Sequence, residues 1–136
     1  MEKLQYFPSF AEMPLQGVIE GVTLRGKADR VDVGEGDHAI IIDYKTGAID
    51  KHSLQLPLYI DLLPKKFVVD GAFYHSLRPG KFSVHEAKVP DAKEKACGII
   101  SKIKEGVISP NPVDKKICRY CVARFMCQGG ASETED

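Results

Sequence analysis

Ala39-Ile40-Ile41-Ile42-Asp43-Tyr44-Lys45-Thr46-Gly47 runs from three isoleucines straight into an acid, an aromatic and a base. Its apolar, β-branched start is a strand signal, and Thr46-Gly47 supplies the turn that ends it. A carboxylate closing so apolar a strand is unusual. Successive strand side chains point to opposite faces, so Asp43 and Lys45 share one face and Tyr44 takes the other. Upstream, Gly34-Glu35-Gly36-Asp37 reads as a turn, preceded by a strand over residues 28–33 that carries Asp29. A turn this short sets the two strands side by side, which brings Asp29 and Asp43 together near one strand end. Hard cations such as Mg²⁺ take oxygen ligands in octahedral geometry, and two carboxylates, a backbone carbonyl and waters supply them. A lysine beside such a site orients or deprotonates a water attacking a phosphate. The competing reading is an Asp43–Lys45 surface ion pair, with Asp29 and Asp32 on an exposed strand edge.

Outward from this stretch, residues 18–24 and 28–33 read as two extended segments, making a meander of short strands with 39–44. Residues 53–63 place Leu54, Leu58, Ile60 and Leu62 near a helical period, with Pro64 ending the helix and Pro57 inside its first turns. Gln55 and Tyr59 fall at i, i+4 on that helix and share one face. Residues 68–77 and 82–89 form a strand pair around Arg78-Pro79-Gly80. Asp91 then caps an amphipathic helix whose face holds Ala92, Ala96, Ile99, Ile100, Ile103 and Val107, ending near Gly106. The fold class this predicts is α/β, a mixed, twisted central sheet flanked by helices, with a cysteine-bearing C-terminal extension. The boundaries expected are 1–109 for the core, 110–127 for the cysteine-rich segment and 128–136 for a flexible tail.

The residues Gly26, Asp29, Arg30 and Asp32, then Asp43-Tyr44-Lys45-Thr46-Gly47, then Gln55 and Tyr59, resemble in order and spacing the PD-(D/E)XK nuclease superfamily. More narrowly they resemble its RecB-like branch, to which helicase-nuclease subunits and CRISPR adaptation nucleases belong. The resemblance implies a restriction-endonuclease-like core and a Mg²⁺- or Mn²⁺-dependent deoxyribonuclease of exonuclease type, acting in DNA repair, recombination or processing. It implies that Asp29, Asp43 and the Tyr44 carbonyl bind the metal, and that Lys45 positions or activates the attacking water. Gln55 and Tyr59 would support the site and contact DNA. The same resemblance implies an N-terminal helical portion that this sequence does not show.

The chain has 136 residues, enough for one compact domain with a sizeable core, and its four cysteines include Cys118-x2-Cys121-x5-Cys127 in a segment too short to bury a core of its own. With no secretory signal, which speaks for a cytoplasmic location, thiolate ligation fits that run better than a disulfide framework. Spacing alone leaves Zn²⁺ and a 4Fe–4S cluster both open. The resemblance implies the cluster, with its fourth cysteine far upstream. Cys97 is the only other thiol and reads as a small residue packed near Ile100. The four histidines show no ligand spacing, and His75 reads as a core group.

The 19 basic and 19 acidic side chains cancel, so net charge argues for no partner. Neutrality conceals an acidic first third and a basic segment from Lys93 to Arg124, and the basic part is the expected contact with the phosphate backbone of DNA. No apolar stretch approaches the roughly 20 residues of a membrane helix. Expected partners are DNA and a helicase or nuclease subunit. Rival readings are a catalytically weak DNA-end-binding or assembly module of a helicase-nuclease, a small zinc-binding interaction domain, and a metal-dependent hydrolase acting on something other than nucleic acid.

Overall fold

The computed structural model describes residues 3–107, 109–112 and 114–127. The expected tail at 128–136 lies outside them. The chain divides into two compact units, Met1–Ile100 and Ser101–Asp136.

The first unit is built on a five-stranded mixed sheet, in the order β1 (Tyr6–Ile19), β2 (Val22–Gly34), β3 (His38–Lys45), β4 (Val68–Ser76) and β5 (Ser83–Glu86). Neighbours are antiparallel except β3 and β4, which run parallel. A parallel pair needs a crossover, and helix α1 (Gln55–Leu62) provides it. This is the α/β, mixed-sheet architecture expected from the sequence.

Two expectations for the N-terminal half are corrected. Residues 18–24 are not one extended segment: Glu20 (φ 50) and Gly21 (φ 73) make a two-residue hairpin turn, with Ile19 paired to Val22. Both turn residues have positive φ, as a type I′ turn requires, and its twist matches that of the flanking strands. The meander of short strands is in fact a hairpin of 14- and 13-residue strands. Pro8 and Pro14 lie within β1, which is an edge strand, where a proline is tolerated and the ladder to β2 stands.

The core lies between the sheet and α1. Val31, Ile41 and Leu56 are fully buried, and each contributes about 1.5–3 kcal/mol by leaving water. Ala39 and Ile41 form the inward row of β3, and Asp43 continues it, so the alternation that buries Ile41 also buries Asp43. Along β2 the core positions are Ala28 and then Val31, so the alternation changes phase across Asp29-Arg30, opposite Glu12 with its φ of 49. Local irregularities of this kind re-aim side chains beside functional sites.

In α1, Pro57 is the third residue, where no intrahelical partner for an N–H is needed, and the first helical bond runs from Leu58 N to Leu54 O (3.0 Å). Arg78-Pro79-Gly80-Lys81 closes the β4–β5 hairpin, with Gly80 at φ 71 and Lys81 N bonded to Arg78 O (3.0 Å). Helix α2 (Ala92–Lys104) starts where Asp91 O accepts from Lys95 N (3.0 Å), and the Asp91 carboxylate pairs with Lys95 (3.2 Å). Ala92, Ala96 and Ile100 of its apolar face are buried, while Ile99, Ile103 and Val107 are exposed.

The second unit begins inside α2, which closes with Gly106 at φ 75 and Val107 N bonded to Lys102 O (2.9 Å). A short 3₁₀ helix (Lys115–Tyr120) follows, its start capped by Asp114, whose carboxylate accepts from Lys116 N (2.9 Å). Turns carry the chain on to Cys127.

Candidate active site

Asp43, at the inner end of β3, is 3% exposed. Its Oδ1 accepts from Gln55 Nε2 (3.3 Å), and Lys45 Nζ stands 2.9 Å from its Oδ2. Lys45 also donates to Gln55 Oε1 (3.0 Å), and the buried Asp43 Oδ2 has the Lys45 ammonium as its ion-pair partner. The Gln55 amide therefore bridges carboxylate and ammonium and fixes both. Burial pushes the Asp43 carboxyl above the usual aspartate range, Lys45 opposes this, and the nearby Asp29 carboxyl adds to the rise. Lys45 is itself held above the ordinary lysine range, mainly by the hydrogen bond to Asp43 and against the effect of burial.

Asp29 reaches the same place from β2. The ladder sets Arg30 opposite Ile42, and Asp29 Oδ2 accepts from the backbone N–H of Tyr44 (2.9 Å). Tyr44 points away from this face, its ring edge-on to His75 (5.9 Å) and its hydroxyl accepting from Arg30 (3.1 Å). Strand parity in the sequence foresaw this division.

Tyr59 lies one turn beyond Gln55. Its hydroxyl accepts from Gln55 Nε2 (3.5 Å) and from Lys27 N (3.4 Å), and its ring lies against Gly26, where a Cβ would come within 2.4 Å of Cε1. Gly26 thus stands in the motif because the ring occupies the space a side chain would need. Asp32 departs from the exposed-edge reading: it is buried and held by two 2.6 Å bonds from Arg30, on the sheet face opposite the core-facing row. His75 is half-buried and packs edge-on between Tyr44 and Phe82.

One neighbour escaped the sequence reading. Tyr74 pairs with Asp43 across the parallel ladder, its ring lies under Lys45 Nζ (5.8 Å to the centroid), and its buried hydroxyl has no hydrogen-bond partner. The signal available was the apolar run Val68–Ser76, which marks a strand but not its register.

The cysteines behave differently. Cys97, Cys118 and Cys127 are half-buried, Cys121 is exposed, and all are free thiols. Among the described residues no three His, Cys, Asp or Glu side chains are placed to hold a metal ion. Cys118, Cys121 and Cys127 lie on a 3₁₀ helix and the turns that follow it, in a stretch with no buried residue among those described.

Two carboxylates and a lysine, at the inner end of the middle strand of a mixed sheet with a crossover helix, define a restriction-endonuclease-like α/β core. The chain belongs to the PD-(D/E)XK nuclease superfamily, whose family model matches residues 2–128. The crystal structure of SSO0001 is similar in fold, with a TM-score of 0.64 over 89% of this chain at 18% sequence identity. This chain spans 61% of the length of SSO0001. No curated protein matches it significantly in sequence. Among the described residues, no helix is long and apolar enough to cross a membrane.

Proposed function

We propose that this chain is a divalent-metal-dependent deoxyribonuclease of the RecB-like branch, cutting phosphodiester bonds of DNA in an exonuclease manner during repair or recombination. The observation that carries the reading is the convergence of Asp43, buried and ion-paired to Lys45 through its Oδ2 (2.9 Å), with Asp29, whose carboxylate acts on Asp43 and accepts from the Tyr44 N–H. Two carboxylates set so close that Asp29 raises the proton affinity of Asp43 suit a site that a cation completes. An oxygen donor set of this kind suits Mg²⁺ or Mn²⁺, held by Asp29, Asp43 and the Tyr44 carbonyl with waters completing the shell. When bound, the ion would supply the Lewis acidity that steadies charge on the phosphate.

The chain's own residues do the rest. Lys45, ion-paired to Asp43 and bonded to Gln55, positions or activates the attacking water. Gln55 is a positioning residue that keeps Asp43 and Lys45 aligned, and Tyr59 braces Gln55 from below. Both are engaged within the protein, which supports their structural part in the motif. The spacing of Cys118, Cys121 and Cys127 speaks for the same branch, and no step is assigned to these thiols.

The test is digestion of linear DNA with Mg²⁺ by the wild type and by Lys45→Ala. Loss of about 10²-fold or more in rate is expected for the variant. Equal rates would remove Lys45 from the mechanism.

A further inference from the structure

The row of side chains that begins at Asp43 does not stop at the middle of the sheet. Pairing sets Asp43 beside Tyr74 and Tyr74 beside His85, and it sets Lys45 beside Ser76 and Ser76 beside Ser83. Two polar rows thus run from the carboxylates across β4 to the edge strand β5. The loop between β3 and α1 forms the other wall, through Ile49 and Lys51.

Between these walls are two adjoining clefts of about 360 and 260 Å³, which share Ile49, Lys51 and His85. Their charge is lopsided. The acid lining them is Glu86, and its carboxylate is paired with Lys88 (3.1 Å). Lys51, Arg78 and Lys81 are exposed and make no ion pair among the described residues. Uncompensated positive charge in a concave, partly apolar wall focuses attraction for an anion.

Tyr74 supplies the second, independent observation. It lines the larger cleft, is 3% exposed, and its hydroxyl has no partner in the protein. A phenol donor left unmet beside a basic cleft points to an acceptor that arrives with the ligand.

We propose that this cleft binds the phosphates of the DNA strand flanking the bond to be cut, with Lys51, Arg78 and Lys81 neutralising them and the Tyr74 hydroxyl donating to a phosphate oxygen. The proposal rests on the nuclease reading and adds to it the path of the strand, from the Asp29–Asp43 pair over Tyr74 toward β5. Serine hydroxyls at positions 76 and 83 lie along the same path.

The experiment uses the full chain and a labelled single-stranded oligodeoxynucleotide, with binding followed by anisotropy in EDTA across a NaCl titration. Lys51→Glu/Arg78→Glu/Lys81→Glu should bind at least tenfold more weakly at low salt. Its slope of log affinity against log salt should be shallower by about 2, from roughly 0.7 for each of three lost contacts. Tyr74→Phe should also bind more weakly, with a melting temperature equal to or above that of the wild type. That combination separates a ligand contact from a structural role.

A triple variant with wild-type affinity and slope would overturn the cleft proposal. In that case, cleavage by the wild type in Mg²⁺, absent in Asp43→Asn, would leave the nuclease reading intact. A wild type that neither cleaves nor shows salt-dependent binding would overturn both.

Discussion

Gly26→Ala is a small change whose effect should be large and whose cause can be isolated. A Cβ at position 26 would lie 2.4 Å from Cε1, 2.9 Å from Cζ and 3.1 Å from Oη of Tyr59. Ordinary contact needs about 3.5–4 Å, so either the ring or the strand must shift by more than an ångström. The backbone conformation of Gly26 is one any residue adopts, so the whole penalty is steric. Overpacking of this kind costs about 1–3 kcal/mol. The ring cannot move freely, because its hydroxyl accepts from Lys27 N and Gln55 Nε2. Displacing it would drag Gln55 from its bridge between Asp43 and Lys45, so catalysis should fall together with stability. The assay is a double-mutant cycle by urea unfolding on wild type, Gly26→Ala, Tyr59→Ala and the double variant. In the Tyr59→Ala background the clash is gone, and Gly26→Ala should be neutral or stabilising by about 0.5 kcal/mol through the unfolded chain. An equal penalty in both backgrounds would refute the steric account.

Asp43→Asn should abolish Mg²⁺-dependent cleavage yet raise the melting temperature, because burial holds the ionised carboxylate at a cost that an amide avoids. Asp70 is pushed up by burial but is held below the usual aspartate range overall by hydrogen bonds from Tyr6 and His38 and the charge of His38. Its stabilising effect is therefore full above the unfolded value and is lost as pH falls through the lower folded one. Thermal melts below about pH 4 should accordingly show a weaker pH dependence in Asp70→Asn than in the wild type. Reversal of the exposed Lys115 and Lys116 to Glu should lower DNA affinity without unfolding the domain, as measured by anisotropy and circular dichroism.

The site was more legible in the sequence than the sheet that carries it. Strand parity alone separates Asp43 and Lys45 from Tyr44, and helical spacing alone puts Gln55 and Tyr59 on one face, because both rules act over a few residues. What failed depended on position in the sheet. Residues 18–24 look like one continuing strand until the positive φ values of Glu20 and Gly21 are seen. Asp32 looked like surface because nothing local tells that Arg30 folds back on it. Tyr74 required the register between β3 and β4, a pairing between segments separated by a helix.

β3 is used on both of its sides. Asp43 and Lys45 serve the site, while Tyr44, between them, is tied to Arg30 and His75 on the reverse. Inserting or deleting one residue here would exchange the two sets, sending the carboxylate outward and the phenol inward. Evolutionary change in chain length must therefore fall elsewhere, at the Glu20-Gly21 tip or in the 46–54 connection. Lineages of this fold should keep the spacing from Ala39 to Lys45 fixed while those two loops lengthen and shorten around it.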